Sequence, residues 1–147
     1  MGQAVEASLA VRTVALEAAN AACTAAVRRA NELGVKVNVA VTDASGVLVA
    51  FQRMPGSFLH SVEIAIDKAF TAASFGFPTN QWVDVIGHDK ALQIGLPLRP
   101  RLVIFGGGLP MRDGPALIGG IGVSGGSAAQ DEDCARAGLR AAGLAEA

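Results

Sequence analysis

The sequence predicts an α+β domain, a mostly antiparallel sheet with its helices packed on it. Two observations carry that expectation. Apolar spacing near 3.6 residues over 11–33 gives way to strict alternation at Val35, Val37, Val39 and Val41, the marks of a helix and then of a strand. The predicted strands also fall into two pairs, each closed by a short turn, which makes antiparallel hairpins. A chain of 147 residues favours one domain spanning 1–147, long enough to bury a core without staples.

Residues from about Val11 to Leu33 are rich in Ala, Leu, Glu and Arg and read as a helix. Arg28 and Arg29 near its end suit the macrodipole, and Gly34 stops it. The valine strand follows, Asp43-Ala-Ser-Gly46 turns, and Val47 to Met54 returns with Val47, Val49, Phe51 and Arg53 on one face. Pro55-Gly56 breaks that strand. A helix is expected from about Phe58 to Phe75, ended by Gly76-Phe-Pro78, and a shorter one capped by Asn80 runs through about Leu92. Gly95 to Pro100 reads as a loop and Arg101 to Phe105 (RLVIF) as the third strand. Gly106 to Pro110 reads as a flexible loop and Arg112-Asp-Gly114 as a turn. Ala116 to Val123 is the fourth strand, with unusually small residues at Gly119 and Gly120. Ser124-Gly-Gly126 leads into a last helix from about Ala128 to Leu139.

Hydrophobic residues make up 51% of the chain and charged residues 17%, which argues against disorder. A net charge of −1 leaves no electrostatic footprint for nucleic acid or an anionic membrane. The scattered Phe and Trp residues form no basic–aromatic platform for single strands. No uncharged apolar run reaches about 18 residues, and no basic region with a hydrophobic stretch opens the chain. A soluble, cytoplasmic protein is therefore expected. Cys23 and Cys134, far apart and without CxxC, read as buried free thiols. Few surface charges are easier to tolerate where neighbouring subunits cover the surface, so a homo-oligomer is expected.

In HSVEIAIDKAFT (60–71), His60, Glu63, Asp67 and Thr71 recur at spacings of three or four and share one helix face. Val62, Ile66, Ala69 and Ala73 share another, the expected core face. The polar face is either an ordinary wet surface or the wall of a pocket. Glu63 and Asp67 repel each other, so a cation is expected beside them: Lys68, Arg53 or a metal. No required metal is expected, because the pattern lacks HExxH and a second ligand cluster. His88 reads as a surface residue. Gly106, Gly107 and Gly108 lack the GxGxxG or GK[ST] context of a phosphate loop; bare backbone there would let a ligand or a neighbouring chain come close. Gly122-x-Ser124-x-Gly126 formally matches a nucleophile elbow, in a chain too short for the doubly wound hydrolase fold. Ser127 is expected to cap the last helix, with Asp131, Glu132 and Asp133 complementing its dipole.

Three segments taken together resemble one family: VAVTDASGVLVAFQRM (39–54), SVEIAIDKAFTAASF (61–75) and FGGGLPMRDGPALIGGIGVSGGSAAQDEDCARAGL (105–139). In order and spacing they are similar to the GlcG/HbpS family, also called the haem-degrading domain family and seen at the C-terminus of PduO-type proteins. The resemblance covers nearly the whole chain after the first helix begins. It implies a profilin-like or PAS-like α+β sandwich that assembles into dimers and larger oligomers. It also implies that Asp43, Arg53, Lys68, Gly107, Pro110, Ser124, Gln130 and Asp131 cluster around a pocket. It implies no single chemistry, since some members bind haem or iron and others accompany glycolate or cobalamin metabolism.

The preferred expectation is a cofactor-free acid–base enzyme, a lyase, isomerase or decarboxylase, acting on a small carboxylated or phenolic catabolite. Arg53 would clamp a carboxylate or phenolate. Lys68 would move a proton, with Glu63 or His60 as the second acid–base group and Asp131 orienting it. The backbone N–H groups of Gly106 to Gly108 would meet an oxyanion, and Asp43, Ser124 and Gln130 would complete the pocket. The alternative is a protein that binds haem or another tetrapyrrole at a subunit seam, with His60 as axial donor and Lys or Arg on the propionates. A third expectation is a structural accessory subunit whose polar face joins subunits.

Overall fold

The computed structural model describes residues 2–146. Its helices are α1 (Leu16–Leu33), α2 (His60–Phe75), α3 (Trp82–Val85), α4 (Lys90–Gly95) and α5 (Ala128–Ala141). Its strands are β1 (Asn38–Asp43), β2 (Leu48–Arg53), β3 (Gly108–Asp113) and β4 (Ala116–Ser124). They form one antiparallel sheet in the order β2-β1-β4-β3, so the expected α+β fold is the one adopted.

Successive side chains of a strand point to opposite faces, and here the two faces differ sharply. Val37 and, on the strands, Val39, Val41, Leu109, Met111, Ile121 and Val123 belong to the main apolar core. Ala19, Ala22, Cys23, Ala26 and Ala30 of α1 close over them, with Cys134, Ala135 and Leu139 of α5. Both cysteines are free and buried, and burial pushes each thiol up to about 12.

The opposite face pairs Asn38 with Ser124, Ala40 with Gly122 and Thr42 with Gly120. Helix α2 lies directly on these glycines. A Cβ at Gly122 would stand 2.0 Å from the carbonyl oxygen of Ala65, and one at Gly120 would stand 2.2 Å from that of Ala69. Only glycine lets a helix backbone come this near a strand. The Thr42 hydroxyl donates to the Ala69 carbonyl at 3.4 Å across the same seam.

Four details depart from the sequence reading. Arg101 to Phe105 is not a strand. The Thr71 hydroxyl donates to the Arg101 carbonyl at 2.9 Å and accepts from the Val103 N–H at 3.2 Å, so this segment meets α2 rather than a strand neighbour. Arg101 itself takes a left-handed φ of 66°. The third strand is instead Gly108–Asp113, at the sheet edge, where Pro110 needs no ladder donor. The first helix begins at Leu16 rather than Val11. Before it, Val14 N–H donates to the Ile118 carbonyl at 2.9 Å, and Arg12 pairs with Asp113, so this stretch lies along the β3–β4 hairpin. The short helix expected through Leu92 is divided into α3 and α4. Asp89 caps α4 by accepting from Leu92 N–H at 3.1 Å, whereas Asn80 donates to Glu132 and caps nothing. No helix among the described residues is long and apolar enough to cross a membrane.

Candidate functional site

The glycine-floored seam selects which residues of α2 are buried. Ser61, Ala65, Lys68, Ala69, Thr71, Ala72 and Ala73 are buried, while Val62 and Ile66 are only half-buried. The core face thus lies rotated from the expected one, because small residues rather than large apolar ones fit over Gly120 and Gly122. Thr71 leaves the wet face with it. Lys68, only 1% exposed, becomes the largest side chain in this seam.

Its ammonium donates to the Val123 carbonyl at 2.8 Å and to Asp131 Oδ2 at 3.1 Å, and lies 5.1 Å from the centre of the Phe105 ring. Asp131 is 3% exposed, and its other oxygen accepts from Gly126 N–H at 2.8 Å. Burial lowers the pKa of Lys68 and raises that of Asp131, while their mutual attraction opposes both shifts. Lys68 and Asp131 thus form a buried, desolvated pair whose members each keep a backbone partner.

The glycines expected to bare the backbone to a ligand instead make room for this lysine. Gly107 has a φ of 123°, and a Cβ there would meet Lys68 Nζ at 2.6 Å. A Cβ at Gly108 would meet the Lys68 carbonyl oxygen at 2.6 Å. The N–H of Gly108 donates to Thr79 Oγ1 at 2.9 Å, so it is not free for an oxyanion. Gly106 is buried against Ala128 and Asn80.

The remaining candidates scatter around this centre. Ser124 ends β4 directly after Val123 and is buried. Ser127 caps α5 as expected, and Gln130 is used in that capping box: its Oε1 accepts from Ser127 N–H at 2.9 Å while its own N–H donates to Ser127 Oγ at 3.2 Å. Asp43 lies at the other end of β1 from Asn38. There it accepts from the N–H groups of Ser45 and Val47 at 2.8 and 3.0 Å, holding the β1–β2 turn. Arg53 is exposed and donates to the Ser57 carbonyl at 3.0 Å. Glu63 and Asp67 line an open cleft of about 370 Å³ with Ile66 and Arg101. The cation beside the two carboxylates is Arg101, 3.0 Å from Asp67, rather than Lys68, Arg53 or a metal. His60 is exposed at the start of α2, next to Phe58 and Leu59, which are 70% and 80% exposed.

Sequence reasoning missed three features. Phe105 caps the Lys68 ammonium from a segment read as a strand. His88 is exposed, as expected, and lines an open cleft of about 730 Å³ with Val83, Ile86 and Ile104 that the sequence did not show. Asn38 is fully buried, and its amide nitrogen has no hydrogen-bond partner. Its signal was available: it shares the period-two face of Ala40 and Thr42.

The antiparallel four-stranded sheet with its packed helices is a fold shared with Klebsiella pneumoniae ORFY, a DUF336 protein. Its crystal structure superposes with a TM-score of 0.89 at 34% identity, covering 96% of this chain and 98% of that one. The chain belongs to the HbpS-like family of haem-degrading proteins, whose family model matches residues 14–140. A crystal structure of a PduOC–haem complex is similar at a TM-score of 0.84 and 37% identity, covering 91% of this chain and 98% of that one. HbpS of Streptomyces reticuli, solved as a double mutant, is similar at 0.81 and 32%, covering 95% and 97%. Among curated relatives, the corrinoid adenosyltransferase PduO of Salmonella typhimurium is 44% identical over 120 residues. That match takes in 80% of this chain but 35% of the relative, so the chain spans only a minor part of that protein's length.

Proposed function

We propose that this protein binds haem or a related tetrapyrrole, with His60 as an axial ligand and a second copy of the chain covering the far face of the macrocycle. The observation that carries the reading is the 37% identity, over 91% of the chain, to a domain solved with haem. The donor set at the start of α2 fits such a ligand. Phe58 and Leu59 stand exposed beside the imidazole, giving apolar side chains to lie against a porphyrin. Arg53, joined to Ser57, is the nearby planar cation for a propionate. Haem would supply the iron chemistry when bound. The chain's own residues would hold the ring, offer the imidazole and pair the carboxylates.

Haem titration of the purified protein tests this. The reading expects a saturable Soret band that is weakened in His60→Ala and retained in His88→Ala. Equal binding by wild type, by His60→Ala and by an unrelated apolar protein would overturn it. A second reading, acid–base turnover, is favoured by one observation, the burial that lowers the Lys68 pKa. At 1% exposure that ammonium meets a substrate only if Phe105 or the glycine segment moves aside, which is why haem binding is preferred.

A further inference from the structure

Arg53, Asn38 and Ser124 form one row across three strands, since Asn38 pairs with Arg53 on β2 and with Ser124 on β4. The row lies at the end of the sheet where α2 begins: Ala65 sits over Gly122, and Ser61 is one helical turn earlier on the same buried stripe. The N-terminal turn of the 16-residue α2 therefore lies at this end of the sheet; Leu59 at its N-cap contributes no side-chain acceptor, and the Ser61 and Val62 N–H groups donate to the Phe58 and Leu59 carbonyls at 3.1 and 3.2 Å. Within the row the Asn38 amide nitrogen is fully buried and has no partner, although its oxygen accepts from Ser57 Oγ at 3.3 Å. Asp131, the buried acid of this seam, is committed to Lys68 and to Gly126 N–H, and Glu63 in the first turn is exposed.

We infer that this donor-rich row is a carboxylate-binding niche, in which Asn38 Nδ2, the Arg53 guanidinium and the Ser61 and Ser124 hydroxyls take the two oxygens of a ligand carboxylate. An unpaired buried donor is a rare and costly feature, and here it stands in the same cross-strand row as Arg53 and Ser124. A flat two-oxygen group matches one guanidinium and one amide better than a phosphate does, which would bring more charge than a single arginine offsets. Access would require the Met54–Leu59 connection to lift. Two bonds hold that connection down, from Arg53 to the Ser57 carbonyl and from Ser57 to Asn38, and binding would exchange them for bonds to the ligand. The carboxylate has two possible sources, a free small acid or a haem propionate, and only the second rests on the haem reading above.

The test follows the Asn38 side-chain amide resonances of the full chain by nitrogen–proton correlation NMR during titration with sodium propionate, against sodium chloride. The inference expects a saturating shift with propionate and not with chloride. It expects binding about tenfold or more weaker in Arg53→Gln, from loss of one charge-assisted contact. Arg53 is exposed, so that variant folds even if Asn38→Asp does not. A propionate response no larger than that of chloride, or unchanged binding in Arg53→Gln, would overturn the niche. Haem and its dimethyl ester, added in parallel, separate the sources. A shift with haem but not with the ester assigns the niche to a propionate, and a shift with free propionate alone assigns it to a small acid. The second outcome stands even if no Soret band forms.

Discussion

Toward α1 and α5 the sheet presents Val39, Val41, Ile121 and Val123; toward α2 it presents Ala40, Thr42, Gly120 and Gly122. The first face is held by many interlocked apolar side chains, each contributing a modest share. On the second, backbone meets backbone, and the largest fully buried side chain between them is a charged lysine. The difference teaches where each kind of fault is tolerated. Loss of volume is the hazard on the apolar face. On the glycine face the hazards are added volume and unpaired charge.

The largest expected effect comes from unpairing the charge. Lys68→Met leaves Asp131 buried without its cation and should cost about 3–5 kcal/mol in urea unfolding. Lys68→Met combined with Asp131→Leu should recover much of that loss. A double variant no more stable than the single one would show that the pair is not the unit. The sign of the pH dependence is fixed. Burial raises the Asp131 pKa above its ordinary 3.8, and removing Lys68 removes the main opposing attraction. The folded variant then holds a proton that the unfolded chain releases. The stability deficit of Lys68→Met against wild type should therefore shrink as pH falls through that raised pKa toward 3.8, and grow again as pH rises.

Ile121→Ala, on the apolar face, should cost about 2–5 kcal/mol by opening a cavity. Gly122→Ala, one residue along and on the opposite face, should cost about 1–3 kcal/mol by forcing α2 off the sheet. Unchanged stability in Gly122→Ala would contradict the close approach of α2. The smallest effect is expected for Asp43→Ala, at about 1 kcal/mol, from two lost turn bonds far from Asn38 and with haem titration unaltered.

What the sequence disclosed follows the same division. The apolar face was legible because valines at period two and alanines at helical spacing report burial directly, and the β1–β2 hairpin and α5 with its Ser127 cap followed from turn and cap chemistry. The glycine face was not. Val62 and Ile66 were expected in the core beside Ala69 and Ala73; the two alanines are buried, but the floor of Gly120 and Gly122 admits Ala65 in place of the larger residues and draws Lys68 inward. The strand holding Gly108 and Pro110 read as a loop, and the apolar-rich run from Arg101 to Phe105 read as a strand, because edge position and contact with Thr71 are tertiary facts. Lys68 and Asp131 are 63 residues apart, and no local spacing joins them; the family resemblance named both and suggested that Asp131 orients Lys68, while the burial of the pair comes from the fold.

The most direct measurement is one haem titration run on wild type, His60→Ala and the double variant Lys68→Met/Asp131→Leu. The account assigns ligand binding to the exposed start of α2 and structural support to its buried middle. It predicts a wild-type Soret band in the double variant and a weakened one in His60→Ala. A band lost in the folded double variant and intact in His60→Ala would contradict it.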